Sequence, residues 1–519
     1  MKTILMKKMW TKKKMTKPFK LRHLKEPTLK FAHNQSVEDP RDGLSLFGPF
    51  DKGLVDNFSV GIVGTPQGIT RCRNWLYKIK KPIYHPTKDI AKPFFPGFEE
   101  VFGVSINLNA IPELPVNEKL LGLFYRYDDP HVRVGEIVDL YVNELLKYIN
   151  EGERIPRLWF VVIPDIVYTL CRPKSKSLTE NTIRVGISDP YMRLVEGWFE
   201  DDDYKKWREA YKYENHFHNQ LKIKLLKHRL LTQIIKERTI AYHEYPGLSD
   251  KQKLSRRNFE TAIAWNLCTT MYYKIGGLPW KLGDIRKDVC YIGLSFKQDR
   301  QNVDDERYAC CAAQMFLDSG DGTVFRGRVG PYYNPATKEY HLTREKAAEL
   351  LSLALDSFKR ENNDNLPRQI FIHGKTYFSD DEWAGFTDAA DDKVSIIGIR
   401  IRHEKIFKLF RSKKYPILRG SYYIKGKRTA YLWTKGFIPR LQSILGLETP
   451  NPLSIQLIRG EENIVTVCKD ILALTKLNYN SCIFCDGTPV TLKFAGAIGE
   501  ILTAGPNESL EILPFMYYI

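Results

Sequence analysis

The chain has 519 residues, 43% of them apolar and 12% aromatic, enough to fill more than one sizeable core and to favour two or three domains. Lysine and arginine number 79 against 61 aspartates and glutamates, a formal charge of +18, which favours a polyanionic partner through phosphate neutralisation and counterion release. No window carries the roughly 18 uncharged apolar residues of a membrane span. Nine scattered cysteines without a disulfide framework, and the lack of a signal peptide, fit a soluble protein of a reducing cytoplasm.

Residues 1–25, MKTILMKKMWTKKKMTKPFKLRHLK, are charged throughout and read as a disordered basic tail, with Met6, Met9 and Met15 as alternative starts. From Phe58 the chain alternates strands and helices. FSVGIVGT (58–65) is a strand, GITRCRNWLYKIKK (68–81) a helix and VFGVSINL (101–108) a strand. VGEIVDLYVNELLKYI (134–149) carries Ile137, Leu140, Tyr141, Leu145 and Ile149 on one helical stripe, and RLWFVVIP (157–164) is the unbroken apolar run of a buried strand. A basic helix over 216–229, a short strand at LTQII and a helix from Asn258 to Lys274, stopped by Gly276 and Gly277, complete a doubly wound, Rossmann-like pattern.

After Gly283 the rhythm changes. VCYIGLSFK (289–297), ACCAAQMFLD (309–318) and GTVFRGRVG (322–330) form a meander. An amphipathic helix over 344–361, capped by Thr343, and the strands QIFIHGKTYF and VSIIGIRIR follow. Meander, helix, strand is the RNase H order, although the spacing also fits other α/β folds.

Several motifs invite a chemical reading. GIVGTPQG (61–68) is a glycine-rich strand-to-helix turn of the kind that cradles anions, but it lacks both the P-loop ending and the dinucleotide spacing, so an ordinary turn is the better reading. DSGDGT (318–323) lacks the terminal glutamate of a calcium loop and reads as a hairpin turn. Cys482 and Cys485 form a C-x-x-C without a second ligand pair and read as buried strand cysteines. His218 and Lys222 share one helical face, with Gln233 just beyond, so two cationic donors and an amide could hold a terminal phosphate. Equally, that face could be solvated and Lys274 could be a C-terminal dipole cap. The chain ends in Phe515, Met516, Tyr517, Tyr518 and Ile519, too apolar to fray, so a buried carboxylate in need of a cation is expected.

EPTLKFAHNQSVEDPRDGLSLFGPF (26–50), YACCAAQMFLDSGDGTVFRG (308–327) and DILALTKLNYNSCIFCDGTPVTLKFAGAIGEILTA (470–504) resemble short prokaryotic Argonautes, most closely those of the TIR-APAZ (SPARTA) immune system. The resemblance runs from about residue 26 to the end. It implies an α/β chain with a Rossmann-like MID domain within 26–283, an RNase H-like PIWI domain over 284–519, and no N or PAZ domain. The MID pattern for a guide's 5′ phosphate matches His218, where many members have tyrosine, with Lys222, Gln233 and Lys274; a further lysine of the family is Thr270 here. The C-terminal carboxylate of Ile519 would share a Mg²⁺ ion with that phosphate. The family's metal-binding carboxylates fall on Ser295, Gly374 and Gly496, so the two-metal cleavage site is expected to be dead; Asp299 and Asp486 lie off register.

The implied function is guide-RNA-directed recognition of single-stranded target DNA, with a partner TIR-APAZ subunit that oligomerises and hydrolyses NAD⁺ in prokaryotic defence against plasmids or phage. Alternatives are a SIR2-APAZ or nuclease effector on the same sensor, a guided nuclease with displaced carboxylates, and a nucleotide-dependent enzyme using the GIVGTPQG turn.

Overall fold

The computed structural model describes residues 20–519 apart from 176–208, 245–248, 250–256, 299–308, 317–321, 328–331, 445–448, 507–512 and positions 52, 54–55, 88, 153, 258, 284–285, 391 and 413. Short elements come first: β1 (Arg22–His23), β2 (Leu29–Lys30), β3 (Ser36–Val37) and α1 (Pro40–Phe47). Then follow β4 (Asn57–Gly64), α2 (Pro66–Ile79), α3 (Phe98–Phe102), β5 (Ser105–Asn107), β6 (Glu113–Pro115), α4 (Glu118–Phe124), α5 (Pro130–Asn150) and β7 (Leu158–Ile163). The half closes with α6 (Asp165–Leu170), α7 (Phe217–Leu226), β8 (Thr232–Lys236), α8 (Glu237–Ile240), α9 (Glu260–Lys274) and β9 (Lys281–Leu282).

Its main sheet runs β5-β4-β7-β8, with β6 also on β4, and every pairing is parallel. A parallel sheet needs both faces covered, and β7, LWFVVI, is buried at every position. Phe160 and Val162 pack with Ile69 and Leu76 of α2, while Trp159 and Val161 face Ile137, Tyr141 and Leu145 of α5 and Leu221 of α7. The stripe expected on α5 is therefore the buried one, with Leu140 and Ile149 at its edge.

The second half holds β10 (Val289–Gln298), β11 (Ala309–Phe316), β12 (Gly322–Gly327), β13 (Tyr332–Asn334), β14 (Glu339–His341), α10 (Arg344–Glu361), β15 (Gln369–Gly374), α11 (Asp380–Ala390) and β16 (Ser395–His403). Beyond these are β17 (Ser421–Ile424), β18 (Thr429–Leu432), β19 (Phe437–Ile438), β20 (Ser443–Ile444), β21 (Leu453–Arg459), α12 (Ile464–Leu474) and α13 (Val490–Leu502). The nine-stranded sheet runs β1-β17-β18-β21-β16-β15-β10-β11-β12. β10, β11 and β12 are antiparallel, while β10, β15 and β16 are parallel, the RNase H arrangement anticipated from the element order. Cys290, Ile292 and Leu294 pack under α10 and α11 on one face. On the other face α13 lies directly on β10, where a Cβ on Gly293 would come within 2.0 Å of the Thr491 carbonyl oxygen. Only glycine permits that approach.

Four expectations need correction. Residues 20–25 are not tail: β1 pairs with Ser421 and Tyr422, Leu24 is buried, and Glu26 bonds Arg419 and Lys476 beneath it. The strand expected over 101–108 is the end of α3 followed by a three-residue strand, because Gly103, at φ 64°, terminates the helix. Cys482 and Cys485 are buried and free, but in the loop between α12 and α13 rather than in strands. A hairpin, β13–β14, intervenes between the meander and α10. Residues 318–321 of DSGDGT, and Asp299, lie outside the described residues. Among the described residues no helix is long and apolar enough to cross a membrane.

Candidate nucleic-acid interface

Two places hold the residues singled out by the sequence. The first lies where α7, β8, α9 and the chain end meet. Lys222, on the second turn of α7, is 3% exposed; its Nζ donates to the Thr232 carbonyl oxygen at 2.9 Å and to the Ile519 terminal oxygen at 2.6 Å. Lys274, the last residue of α9 and 1% exposed, donates to the same Thr232 oxygen and to Gln233 Oε1, each at 2.8 Å. The buried terminus thus has the cation it requires.

Packing puts the lysines there. Leu221 and Leu225 of α7 sink into the core, which turns Lys222 toward the terminus; Phe515 packs on Tyr273 and Phe494 and pins the last residues. Burial pushes Lys222 down to about 7, with the Lys274 side chain opposing, and Lys274 lies well below the ordinary lysine value, held there by burial and by Lys222. Two buried lysines forced together share the single carboxylate of Ile519, and a phosphate dianion beside it would let both stay charged.

His218 shares the Lys222 face, as its spacing predicts, but it is no cation. Burial first, and Lys222 second, push it down to about 4, so at neutral pH it offers one N–H and one lone pair, with Nδ1 2.9 Å from Asn219 Oδ1. Thr270 is buried and donates to the Asn266 carbonyl oxygen of its own helix, so it adds no charge.

Beside the cage a cavity of about 350 Å³ opens at the carboxyl ends of β7 and β8, the crevice where open α/β sheets bind ligands. His216, His218, Lys236, Thr239 and Tyr168 line it. Arg172 and Lys236 each lie 3.8 Å from the Tyr168 ring, so the ring is held from both sides by cations. The sequence reading missed these three residues, because their partnership spans a break in the pattern.

At the GIVGTPQG turn, Thr65 caps α2 by accepting from Gly68 N and donates its hydroxyl to Glu237 Oε1. Glu237 also accepts from Arg71, and a Cβ at Gly68 would lie 2.8 Å from its oxygen. A carboxylate already stands where a nucleotide phosphate would go.

The second place lies on the other sheet. Ser295, on β10, is 4% exposed, and a Cβ at Gly496 of α13 would sit 3.8 Å from its Oγ. Gly374 ends β15 on the neighbouring strand, where Gly293 pairs with His373. The fold therefore brings Ser295 and Gly496 together, whereas a Cβ at Gly374 would point to the other face, 3.3 Å from Phe378, and the β15 residue on the Ser295 face is His373, which bonds the Thr491 hydroxyl. Asp486 is elsewhere employed, accepting from Lys493 and Asn478. Glu339 is held by Arg400 and the Tyr377 N–H, and Glu500, one turn beyond Gly496, by Lys297. Among the described residues no three histidine, cysteine, aspartate or glutamate side chains gather as a metal site.

No protein-family model and no curated protein matches this chain. Its fold does match solved structures. Clostridium butyricum Argonaute bound to a guide DNA and a 19-mer target DNA aligns over 95% of this chain and 54% of its own, at 16% identity and TM-score 0.59. A. aeolicus Argonaute aligns over 95% and 55%, at 16% and 0.55, and Drosophila Piwi over 96% and 56%, at 12% and 0.55. This chain spans about half the length of each. Its architecture, a Rossmann-like domain followed by an RNase H-like one, is Argonaute-like.

Proposed function

We propose that the chain is a guided sensor: it anchors the 5′ phosphate of a guide RNA in the Lys222–Lys274 cage, pairs the guide with single-stranded DNA, and does not cut it. The observation that carries this reading is the convergence of two buried lysines on the Thr232 carbonyl oxygen, with the Ile519 terminal oxygen accepting from Lys222 and Gln233 Oε1 from Lys274. Such a cage, dry and positive, suits a terminal phosphate and no neutral group. The neighbouring cavity, with Tyr168 at its edge, has the size and aromatic lining to take the first base.

A Mg²⁺ ion fits this pocket on donor chemistry. The ion prefers one or two carboxylates plus phosphate oxygens and water, and Ile519 supplies the one carboxylate. Its terminal oxygens would hold the ion, which when bound would neutralise the phosphate charge that the two lysines leave. Lys222, freed from the terminus, would then turn its donors to the phosphate, with Gln233 and the neutral His218 completing the ring.

Because Ser295, Gly374 and Gly496 carry no carboxylate, target recognition is proposed to act through another chain. The resemblance to TIR-APAZ Argonautes supplies its identity, a TIR-APAZ subunit that hydrolyses NAD⁺ once target binds and the complexes oligomerise, as a defence against plasmids or phage. Likeness to the guide- and target-bound Clostridium butyricum structure supports the nucleic-acid partners.

The central test compares RNA guides with 5′ phosphate and 5′ hydroxyl ends. Lys222→Glu should weaken the first far more than the second, and equal losses would sink the pocket. Prolonged incubation with guide, complementary DNA and Mg²⁺ or Mn²⁺ should leave the target whole. Co-expression with the neighbouring gene product should deplete NAD⁺ only when target is supplied.

A further inference from the structure

The groove that lacks carboxylates is not merely empty of them. Its walls, about 200 Å³ across the ends of β10, β15 and the β13–β14 turn, carry Lys297, Lys338 and Lys375 beside Ser295 and Thr376. The carboxylate in its wall, Glu339, is engaged by Arg400, and the nearby Glu500 by Lys297. Among the described residues neither Lys338 nor Lys375 has a carboxylate within ion-pair reach. Lys338 is presented by a tight turn, at φ 55°, whose N–H donates to the Asn334 carbonyl oxygen. Lys375 follows Gly374 directly, so its ammonium stands over the end of β15. Burial and the Lys297 charge both lower its pKa, with Glu500 opposing. The positive charges crowd one another.

Further lysines lie near Lys375. His403, at the end of β16, feels Lys435, Lys375 and Lys405 as its neighbouring charges. Lysines spread over the ends of three parallel strands suit an extended polyanion better than a compact one.

We propose that this groove binds backbone phosphates of the target DNA strand, with Lys338 and Lys375 supplying positive charge where a cleaving RNase H-like site would need metal ions. The inference rests on the guided-sensor reading and deepens it: the dead site is a grip. Lysine ammonium groups neutralise a phosphodiester without polarising it for attack or generating a metal hydroxide. The strand is held and left intact, and the grip does not depend on divalent ions.

The test uses the full chain loaded with 5′-phosphorylated guide RNA, with target affinity measured from 50 to 200 mM salt. Lys338→Gln with Lys375→Gln should weaken target binding about tenfold or more at low salt and reduce the slope of log affinity against log salt by about one to two. Guide affinity, set on the other sheet, should hold, and chelating divalent ions after loading should leave the difference between the two proteins unchanged. Lys375→Arg should restore most of the loss. A target with single methylphosphonate substitutions should show one position that weakens the parent protein and not the double variant. An unchanged salt slope and target affinity, with guide still bound, would overturn the grip and leave the sensor standing. Failure of the parent protein to bind guide would instead remove the sensor. Inorganic phosphate that competes at concentrations too low to screen would assign the groove to a compact anion and overturn the strand assignment.

Discussion

The cage at the chain end and the groove at the silent RNase H-like site are both lysine-rich, yet they hold their charges oppositely. Lys222 and Lys274 are buried, share one carbonyl oxygen, and sit far below the ordinary lysine pKa. Lys338 and Lys375 are exposed at a rim. A buried cation that loses its partner costs several kcal/mol, whereas an exposed one is screened by salt and contributes in small increments. The difference separates two tasks: a dry cage can read one chemical group, the end of a strand, while a wet row can hold a backbone without reading it.

The comparison breaks most visibly at Lys274. Lys274→Glu would place a carboxylate beside the Gln233 oxygen and the Ile519 terminus, at about 3–5 kcal/mol. Binding of 5′-phosphorylated guide should fall at least a hundredfold, with little change in salt slope; a large slope change in a direct binding titration would show the cage to be wet. Next in size, appending a few residues after Ile519 removes the terminal carboxylate that Lys222 holds. The preference for 5′-phosphorylated over 5′-hydroxyl guide should drop about tenfold, and an unchanged preference would show the terminus to be only structural.

Smaller effects sharpen the groove. In Ser295→Asp, Gly374→Asp, Gly496→Asp the new Cβ atoms at 374 and 496 would lie 3.3 Å from Phe378 and 3.8 Å from Ser295. Three negative charges should weaken target binding severalfold at low salt without restoring cleavage, because Lys338 and Lys375 stand where metal ions would have to bind. Guide-dependent product on a denaturing gel would show that the groove still holds metal geometry.

The smallest effect is pH. Lys222, facing Lys274, His218 and the Ile519 carboxylate, lies at about 7, and a bound dianion favours its charged form. Binding therefore takes up a proton, so the preference for 5′-phosphorylated guide should decline about twofold as pH rises from about 7 to about 7.5. A flat profile would place the lysine's true value well above that range.

Much of this was legible in the sequence, and the gaps have physical causes. The apolar runs at 158–163 and 289–297, the stripe on α5 and the apolar chain end all reported burial directly. Lys222 was legible from its spacing with His218, but the charge of His218 was not, because burial depends on packing that spacing does not contain. The shared Thr232 acceptor is a main-chain oxygen, for which no residue type is a signal. β1 eluded the composition of its neighbours because its partner lies some 400 positions away. The β13–β14 turn that carries Lys338 was missed in a stretch whose short strands alternate too briefly to show a period.

The bare contact between Gly293 and Thr491 has a metric consequence. With no side-chain layer beneath it, α13 is seated on β10 at one end, and at the other the Ala504 carbonyl accepts the Glu214 N–H just ahead of α7. Thirteen helical residues span about 20 Å. The helix is a ruler: it fixes the distance from the Lys222–Lys274 cage to the groove beside Ser295, and a residue inserted or deleted within it would put the two out of step.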